Sequence, residues 1–126
     1  MIVPEDLRYS TDHEWARLDG ARVRVGITDY AQDALGDVVF VDLPAVGKQI
    51  DAGLLLGEVE STKSVSELYA PASGRVAEAN AALTDAPERL NEDPYGEGWI
   101  CEIELGDGET LDHLLDAAAY RQLIET

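Results

Sequence analysis

Few side chains in this chain are placed to do chemistry, and the most suggestive is an amine. Lys63 is one of only two lysines among nine basic residues, the other being Lys48. It stands in Glu60-Ser61-Thr62-Lys63-Ser64, flanked by small hydroxyl residues that leave its amine open on all sides. An accessible amine of this kind suits acylation by a modifying enzyme; the plainer reading is a lysine decorating an exposed turn. His13 and His113 lie far apart, lack metal-ligand spacing and have no serine or cysteine partner in a recognisable arrangement, so neither a metal site nor a catalytic triad is expected. Cys101 has no second cysteine to pair with and alternates with apolar residues, which reads as a small core residue. Glu58 and Glu60 would project from the same strand face. Paired carboxylates can do acid–base work, but in so acidic a chain they read more simply as a solvated face. No glycine-rich segment is built to cradle phosphate. The chain is not expected to be an enzyme.

The elements that must position Lys63 follow from the residues around it. Leu55, Gly57 and Val59 before it and Val65, Glu67 and Tyr69 after it repeat with the period of two of half-buried strands. Between Ser61 and Ser64 only Thr62 and Lys63 remain, the length of a tight hairpin loop, which puts Lys63 at its tip. Thr62 is β-branched and ill suited to positive φ, so a type I turn or a slightly longer loop is expected rather than the favoured hairpin turns.

Along the rest of the chain, residues before His13 read as an irregular entry with short extended pieces. Residues 14–18 and 22–27 form a hairpin around an Asp19-Gly20 turn. Thr28 caps a short helix from Tyr30 to Leu35, closed by Gly36. Val38–Val41 is a nearly continuous apolar strand. Pro44-Ala45-Val46-Gly47 and Pro71-Ala72-Ser73-Gly74 repeat a Pro-x-x-Gly turn on either side of the lysine hairpin, each followed by a short extended run. Two sheet units related by a pseudo-twofold would explain the repeat, as would the ordinary use of Pro and Gly in turns. Residues 83–97 are a loop-rich connector with a helical turn after Pro87. The strand around Trp99 places Trp99, Cys101, Ile103 and Leu105 on one face. After an Asp107-Gly108 turn, Thr110 can cap a helical region through Leu111, Leu114, Leu115, Tyr120 and Leu123.

At 126 residues the chain fits a single domain, residues 1–126. Its 45% hydrophobic and 28% charged residues read as globular rather than disordered. No apolar run approaches a membrane span, and the acidic start is neither a secretory signal nor a transit peptide. A prokaryotic cytoplasm is the expected location, with a mature organelle form as the alternative. A net charge of −17 disfavours nucleic acid and favours basic partner surfaces.

Several blocks in one order resemble a known family. Tyr9-Ser10-Thr11-Asp12-His13-Glu14-Trp15 is followed by Val25-Gly26-Ile27-Thr28-Asp29-Tyr30-Ala31-Gln32 and Leu35-Gly36-Asp37. After the lysine segment come Pro71-Ala72-Ser73-Gly74 and Asn91-Glu92-Asp93-Pro94-Tyr95-Gly96-Glu97-Gly98-Trp99. Together they cover most of the chain and resemble the H protein of the glycine cleavage system, which carries a lipoyl group on the lysine of its Glu-Ser-x-Lys-Ser/Ala segment.

The resemblance implies a mainly β fold, a flattened barrel-sandwich hybrid of the lipoyl/biotinyl-carrier kind, with short helices near the start and at the C-terminus. It implies lipoate in amide linkage to Lys63, and a monomer. A pyridoxal-phosphate glycine decarboxylase (P protein) would load an aminomethyl group onto the arm. An aminomethyltransferase (T protein) would pass the one-carbon unit to tetrahydrofolate, and a dihydrolipoamide dehydrogenase (L protein) would reoxidise the dithiol. The loaded arm would shelter in a surface cleft, with Glu14 and Glu67 as contacts for its cationic amine. Glu60, Ser61, Thr62 and Ser64 would help the lipoyl-attaching enzyme recognise the turn. Four alternatives stay open: an H-like protein that relays lipoate, a carrier domain of a 2-oxoacid dehydrogenase, a biotin carrier, and an unmodified acidic binding module. Thr62-Lys63-Ser64 lacks the methionines usual around a biotinyl lysine.

Overall fold

The computed structural model describes residues 1–125. In chain order its elements are β1 (Arg8–Tyr9), β2 (Glu14–Asp19), β3 (Arg22–Ile27), α1 (Asp29–Leu35), β4 (Val38–Asp42), β5 (Gln49–Ile50), β6 (Leu55–Ser61), β7 (Val65–Tyr69), β8 (Gly74–Ala79), α2 (Ala82–Asp85), α3 (Arg89–Glu92), β9 (Cys101–Leu105) and α4 (Ala117–Glu125). The strands make two antiparallel sheets, one ordered β1-β2-β3-β9-β8-β5 and one ordered β4-β6-β7. Val23, Val25, Val76 and Ile103 of the first meet Val41, Val59 and Leu68 of the second in the main core. The sheets pack face to face without closing into one barrel, which is the expected mainly β sandwich with short helices.

A second apolar cluster joins distant parts of the chain: Val3, Leu7, Tyr9 and Trp15 pack with Ala117 and Tyr120. Trp15 lies opposite Gly26 across the β2–β3 ladder, and its ring fills the space a side chain there would need. The ring nitrogen of Trp15 donates to the carbonyl of Pro94 at 2.9 Å.

Several local expectations shift. The β2–β3 ladder ends at Asp19 opposite Arg22, so the turn is Gly20-Ala21 and not Asp19-Gly20. Gly20 carries the positive φ, 63°, the Gly-first pattern of a II′ turn. A bulge between Leu55 and Gly57 reverses the facing at the start of β6, burying Leu56 and leaving Leu55 exposed. In β7 the core-facing residue is Leu68, while Val65 and Glu67 turn outward. β4 is less buried than its composition suggests: a second bulge leaves Val39 and Phe40 half exposed. The C-terminal helix starts at Ala117, not at Thr110. Leu115 is drawn into a reciprocal backbone bridge with Tyr9, and Asp116 rather than Thr110 caps the helix through the Ala119 amide. Trp99 precedes β9 and packs against the second cluster, whereas Cys101 and Ile103 enter the main core.

The Pro-x-x-Gly repeat has a structural counterpart, since the extended runs after the two turns pair with each other, Gln49 opposite Arg75 and Ile50 opposite Gly74. The two glycines differ in their reasons. Gly47 is needed for its φ of 94°, whereas a Cβ at Gly74 would collide with the carbonyl of Glu104.

Candidate functional site

Lys63 sits where the spacing places it, exposed in the turn between β6 and β7. The turn is closed by Ser61. Its amide donates to the Ser64 carbonyl at 2.8 Å. Its hydroxyl accepts from the amides of Lys63 at 3.3 Å and Ser64 at 3.1 Å, and lies 3.2 Å from the Ser64 carbonyl, to which it donates. A serine side chain thus stands in for backbone turn bonds. Neither Thr62 nor Lys63 takes positive φ, which spares the β-branched Thr62. The Thr62 amide donates to the Asp37 carbonyl at 3.1 Å and fixes the turn to the loop after α1.

That loop is itself held firmly. Thr28 caps α1 through the Ala31 amide, and Gly36 ends it with a φ of 86° and a bond to the Gln32 carbonyl. The Asn91 side chain donates to the Gly36 carbonyl at 2.9 Å and accepts from the Val38 amide at 2.9 Å. The Lys63 stem crosses this support: a Cβ on Gly36 would stand 3.1 Å from its Cε. Among the described residues no ion pair engages the Lys63 amine.

Beside the turn, α1 and β7 enclose an open cleft of about 270 Å³, lined by Asp12, His13, Tyr30, Ala34, Ser64 and Val65 among others. His13 forms part of its wall in a left-handed conformation, φ 68°, uncommon outside glycine. It is held there by Tyr120, whose hydroxyl lies 2.9 Å from Nδ1 of His13 and 2.7 Å from the Thr28 hydroxyl. The Tyr30 ring packs on the imidazole at 4.8 Å. Burial lowers the His13 pKa, with Asp12 opposing, so the ring is favoured neutral near pH 7.

Glu14, the first residue of β2, is 1% exposed. One carboxylate oxygen accepts from the Ser10 hydroxyl at 2.6 Å and the other from the Tyr69 amide at 3.1 Å. Burial pushes its pKa up to about 7, against the opposing effect of those two hydrogen bonds. Glu67 lies on the outer face of β7 and accepts from the Tyr69 hydroxyl at 2.7 Å. The two carboxylates expected to act together therefore converge on Tyr69, one through its amide and one through its phenol. Glu14 borders a neighbouring cavity of about 200 Å³ that it shares with Ser10, Asp12 and His113, and Asp12 lines both openings. His113 is fixed at 2.6 Å from the Pro71 carbonyl.

Of the flanking residues, Glu60, Thr62 and Ser64 are exposed beside Lys63, whereas Ser61 is buried within the turn. Cys101 is buried in the core, and burial pushes its thiol up to about 12, so it is no nucleophile at neutral pH. A larger cavity of about 530 Å³ lies between the β2–β3 turn and the loop after β9. No histidine, cysteine or lysine lines it, and size alone does not mark it as the site. Among the described residues no group of three or more His, Cys, Asp or Glu side chains could hold a metal ion, and no helix is long and apolar enough to cross a membrane. Sequence reasoning missed Asp12, Tyr69, Asn91 and Tyr120 as parts of this site. The resemblance blocks contained Asp12 and Asn91; nothing local pointed to Tyr69 or Tyr120.

Two β-sheets packed face to face, with a lysine held out on the turn of an outer hairpin, define the lipoyl- and biotinyl-carrier class of fold. Comparison with known proteins narrows this. Residues 7–126 match the family described as "Glycine cleavage H-protein". A glycine cleavage system H protein of Anaeromyxobacter sp. (strain K) is 58% identical over 125 residues, covering 99% of this chain and 98% of the relative. That of Symbiobacterium thermophilum is 58% identical over 118 residues, 94% of this chain and 92% of its own. The crystal structure of a glycine cleavage system H protein from Mycobacterium marinum superposes with a TM-score of 0.87 at 45% identity, covering 98% of this chain and all of the other. The chain belongs to the glycine cleavage H-protein family.

Proposed function

We propose that this chain is a lipoyl carrier of the glycine cleavage system, a single carrier domain over residues 1–126 with lipoate in amide linkage to the Lys63 amine. The observation that carries the reading is the turn itself: Lys63 stands exposed and, among the described residues, outside every ion pair, on a two-residue turn whose every backbone amide is tied down. The residues fit the group, since the amine is open to an acylating enzyme and a cleft opens beside it. Bound lipoate would supply a dithiolane that accepts a one-carbon amine unit and electrons and gives both up again. The protein attaches and presents that group and catalyses nothing itself.

The chain's own residues do the rest. Ser61 shapes the turn through its hydroxyl, while Glu60, Thr62 and Ser64 are exposed for recognition by the lipoyl-attaching enzyme. The cleft between α1 and β7 excludes water from what the arm carries. Glu14 and Glu67 lie outside that cleft's lining and converge instead on Tyr69, beside the neighbouring cavity that Glu14 borders, and there they serve a cationic amine. Glu14, poised near pH 7, would ionise fully beside such a cation. The partners in this reading are glycine decarboxylase, the aminomethyltransferase, dihydrolipoamide dehydrogenase and the lipoyl-attaching enzyme. The chain works as a monomer in the cytoplasm.

A tryptic mass map of protein purified from its own source tests this. Acylation blocks cleavage after Lys63, so a single Gln49–Arg75 peptide carrying the lipoyl mass is expected. Complete cleavage at Lys63 in cells with an active lipoylation pathway would sink the reading.

A further inference from the structure

The outward face of the β4-β6-β7 sheet is arranged at some expense to the fold. Ladder register places Phe40, Glu60 and Val65 in one row across the three strands, and Asp42, Glu58 and Glu67 in the next. Residues directly opposite in antiparallel strands share a face, and like charges so placed are destabilising. Three carboxylates in one row repel one another, and β4, β6 and β7 contain no basic residue to relieve them. The adjoining row leaves Phe40 52% and Val65 55% exposed, with Val39 beside them at 51%. Among the described residues no ion pair reaches that acidic row, and an aromatic ring left in water beside it is not what folding alone would select.

We propose that this face is a docking surface for the enzyme that acylates Lys63, with Phe40 entering an apolar socket and the carboxylates meeting a basic rim. The inference rests on the carrier reading above and names the partner's chemistry. Charge complementarity fixes the sign of the partner surface, because the face presents four carboxylates and no cation. Reach fixes which partner it is. An enzyme acylating the amine itself must bring its active site within the length of one lysine stem. It must therefore lie against the strands that end in the turn, and the Phe40 row abuts that turn. Enzymes that act on the far end of an attached arm have no such constraint. Interface energy concentrates in buried aromatic anchors, while rim charges act on association rate and its salt dependence.

The test is acylation of the full, unmodified chain by a purified lipoate–protein ligase with lipoate and ATP, followed by intact mass and steady-state rates. Phe40→Ala is expected to lower kcat/KM about 30-fold, through KM with kcat nearly unchanged, as loss of an anchor does. The double variant Asp42→Asn, Glu58→Gln is expected to lower kcat/KM several-fold at low salt and to flatten its salt dependence. The same double variant should melt at a higher temperature than the parent, because it relieves the acidic row. Slower acylation on a more stable fold separates docking from damage, and keeps the inference testable if Phe40→Ala folds poorly. Rates of the double variant within two-fold of the parent at every salt concentration would overturn the docking surface while leaving Lys63 acylation intact. Failure of the parent chain to accept lipoate, from a ligase active on a control acceptor, would instead overturn the carrier reading beneath it.

Discussion

The protein contains two hairpins with two-residue turns, and they solve the same problem differently. At the β2–β3 turn the backbone does the work, with Gly20 taking a φ of 63° that most residues avoid. At the β6–β7 turn neither central residue leaves the ordinary region, and the Ser61 side chain supplies the missing bonds. A glycine turn is the simplest way to reverse a chain. Moving the burden onto a flanking serine leaves both central positions free to carry side chains, and one of them is Lys63. The first turn serves the fold; the second serves what it displays.

The hairpins are also joined, because Glu14 at the start of β2 accepts from the Tyr69 amide at the end of β7. This link gives the largest expected effect. The folded-state pKa of Glu14 is raised, from 4.5 to about 7, so the protonated form is favoured by folding. Its contribution to stability is full below pH 4.5 and is lost as pH rises through 7. Relative to Glu14→Gln, the parent should lose roughly 3 kcal/mol of unfolding free energy between pH 4.5 and 8, at about 1.4 kcal/mol per pKa unit. Denaturant melts of both proteins across that range measure it; parallel curves would show that the link does not titrate.

Next come the two turns compared directly. Gly20→Ala should cost about 1–2 kcal/mol through forced positive φ. Ser61→Ala should cost about 1 kcal/mol through lost side-chain hydrogen bonds. Only the second should slow enzymatic acylation of Lys63. Equal effects of both on acylation would erase the distinction between the turns. The smallest expected effect is Thr62→Ala, under about 0.5 kcal/mol by thermal unfolding, because Thr62 is exposed and its contact to Asp37 runs through the backbone.

What was legible in the sequence was local. The lysine hairpin could be read because its strands and turn lie within fifteen residues, from Leu55 to Tyr69. The Thr28 cap and the Gly36 stop could be read because capping chemistry acts over one helical turn. A bulge defeated the period-two reading at Leu55, and a second one turned Val39 and Phe40 of the apolar run 38–41 outward, since a one-residue slip exchanges faces and leaves no mark in composition. The apolar spacing from Leu111 to Leu123 suits a helix throughout, yet Leu115 pairs with Tyr9, more than a hundred residues away. Glu14 could be named from the resemblance, but its burial and its bond to Tyr69 depend on how two sheets meet. In the sequence Ser61 is only a small neighbour that leaves the amine open, whereas in the fold its hydroxyl builds the turn.

The hold of Tyr120 on His13 also sets an order of events. Strands β4, β6 and β7 pair within residues 38–69, so the lysine hairpin and its sheet can assemble early as the chain is synthesised. The His13 ring is seated by a hydroxyl 107 positions further on. Contacts that distant wait for late synthesis and carry a larger loop-closure cost. The residues of the lysine turn are therefore synthesised well before the cleft beside it can be finished, and Tyr120, which seats His13 in that wall, is the last of its supports to be made.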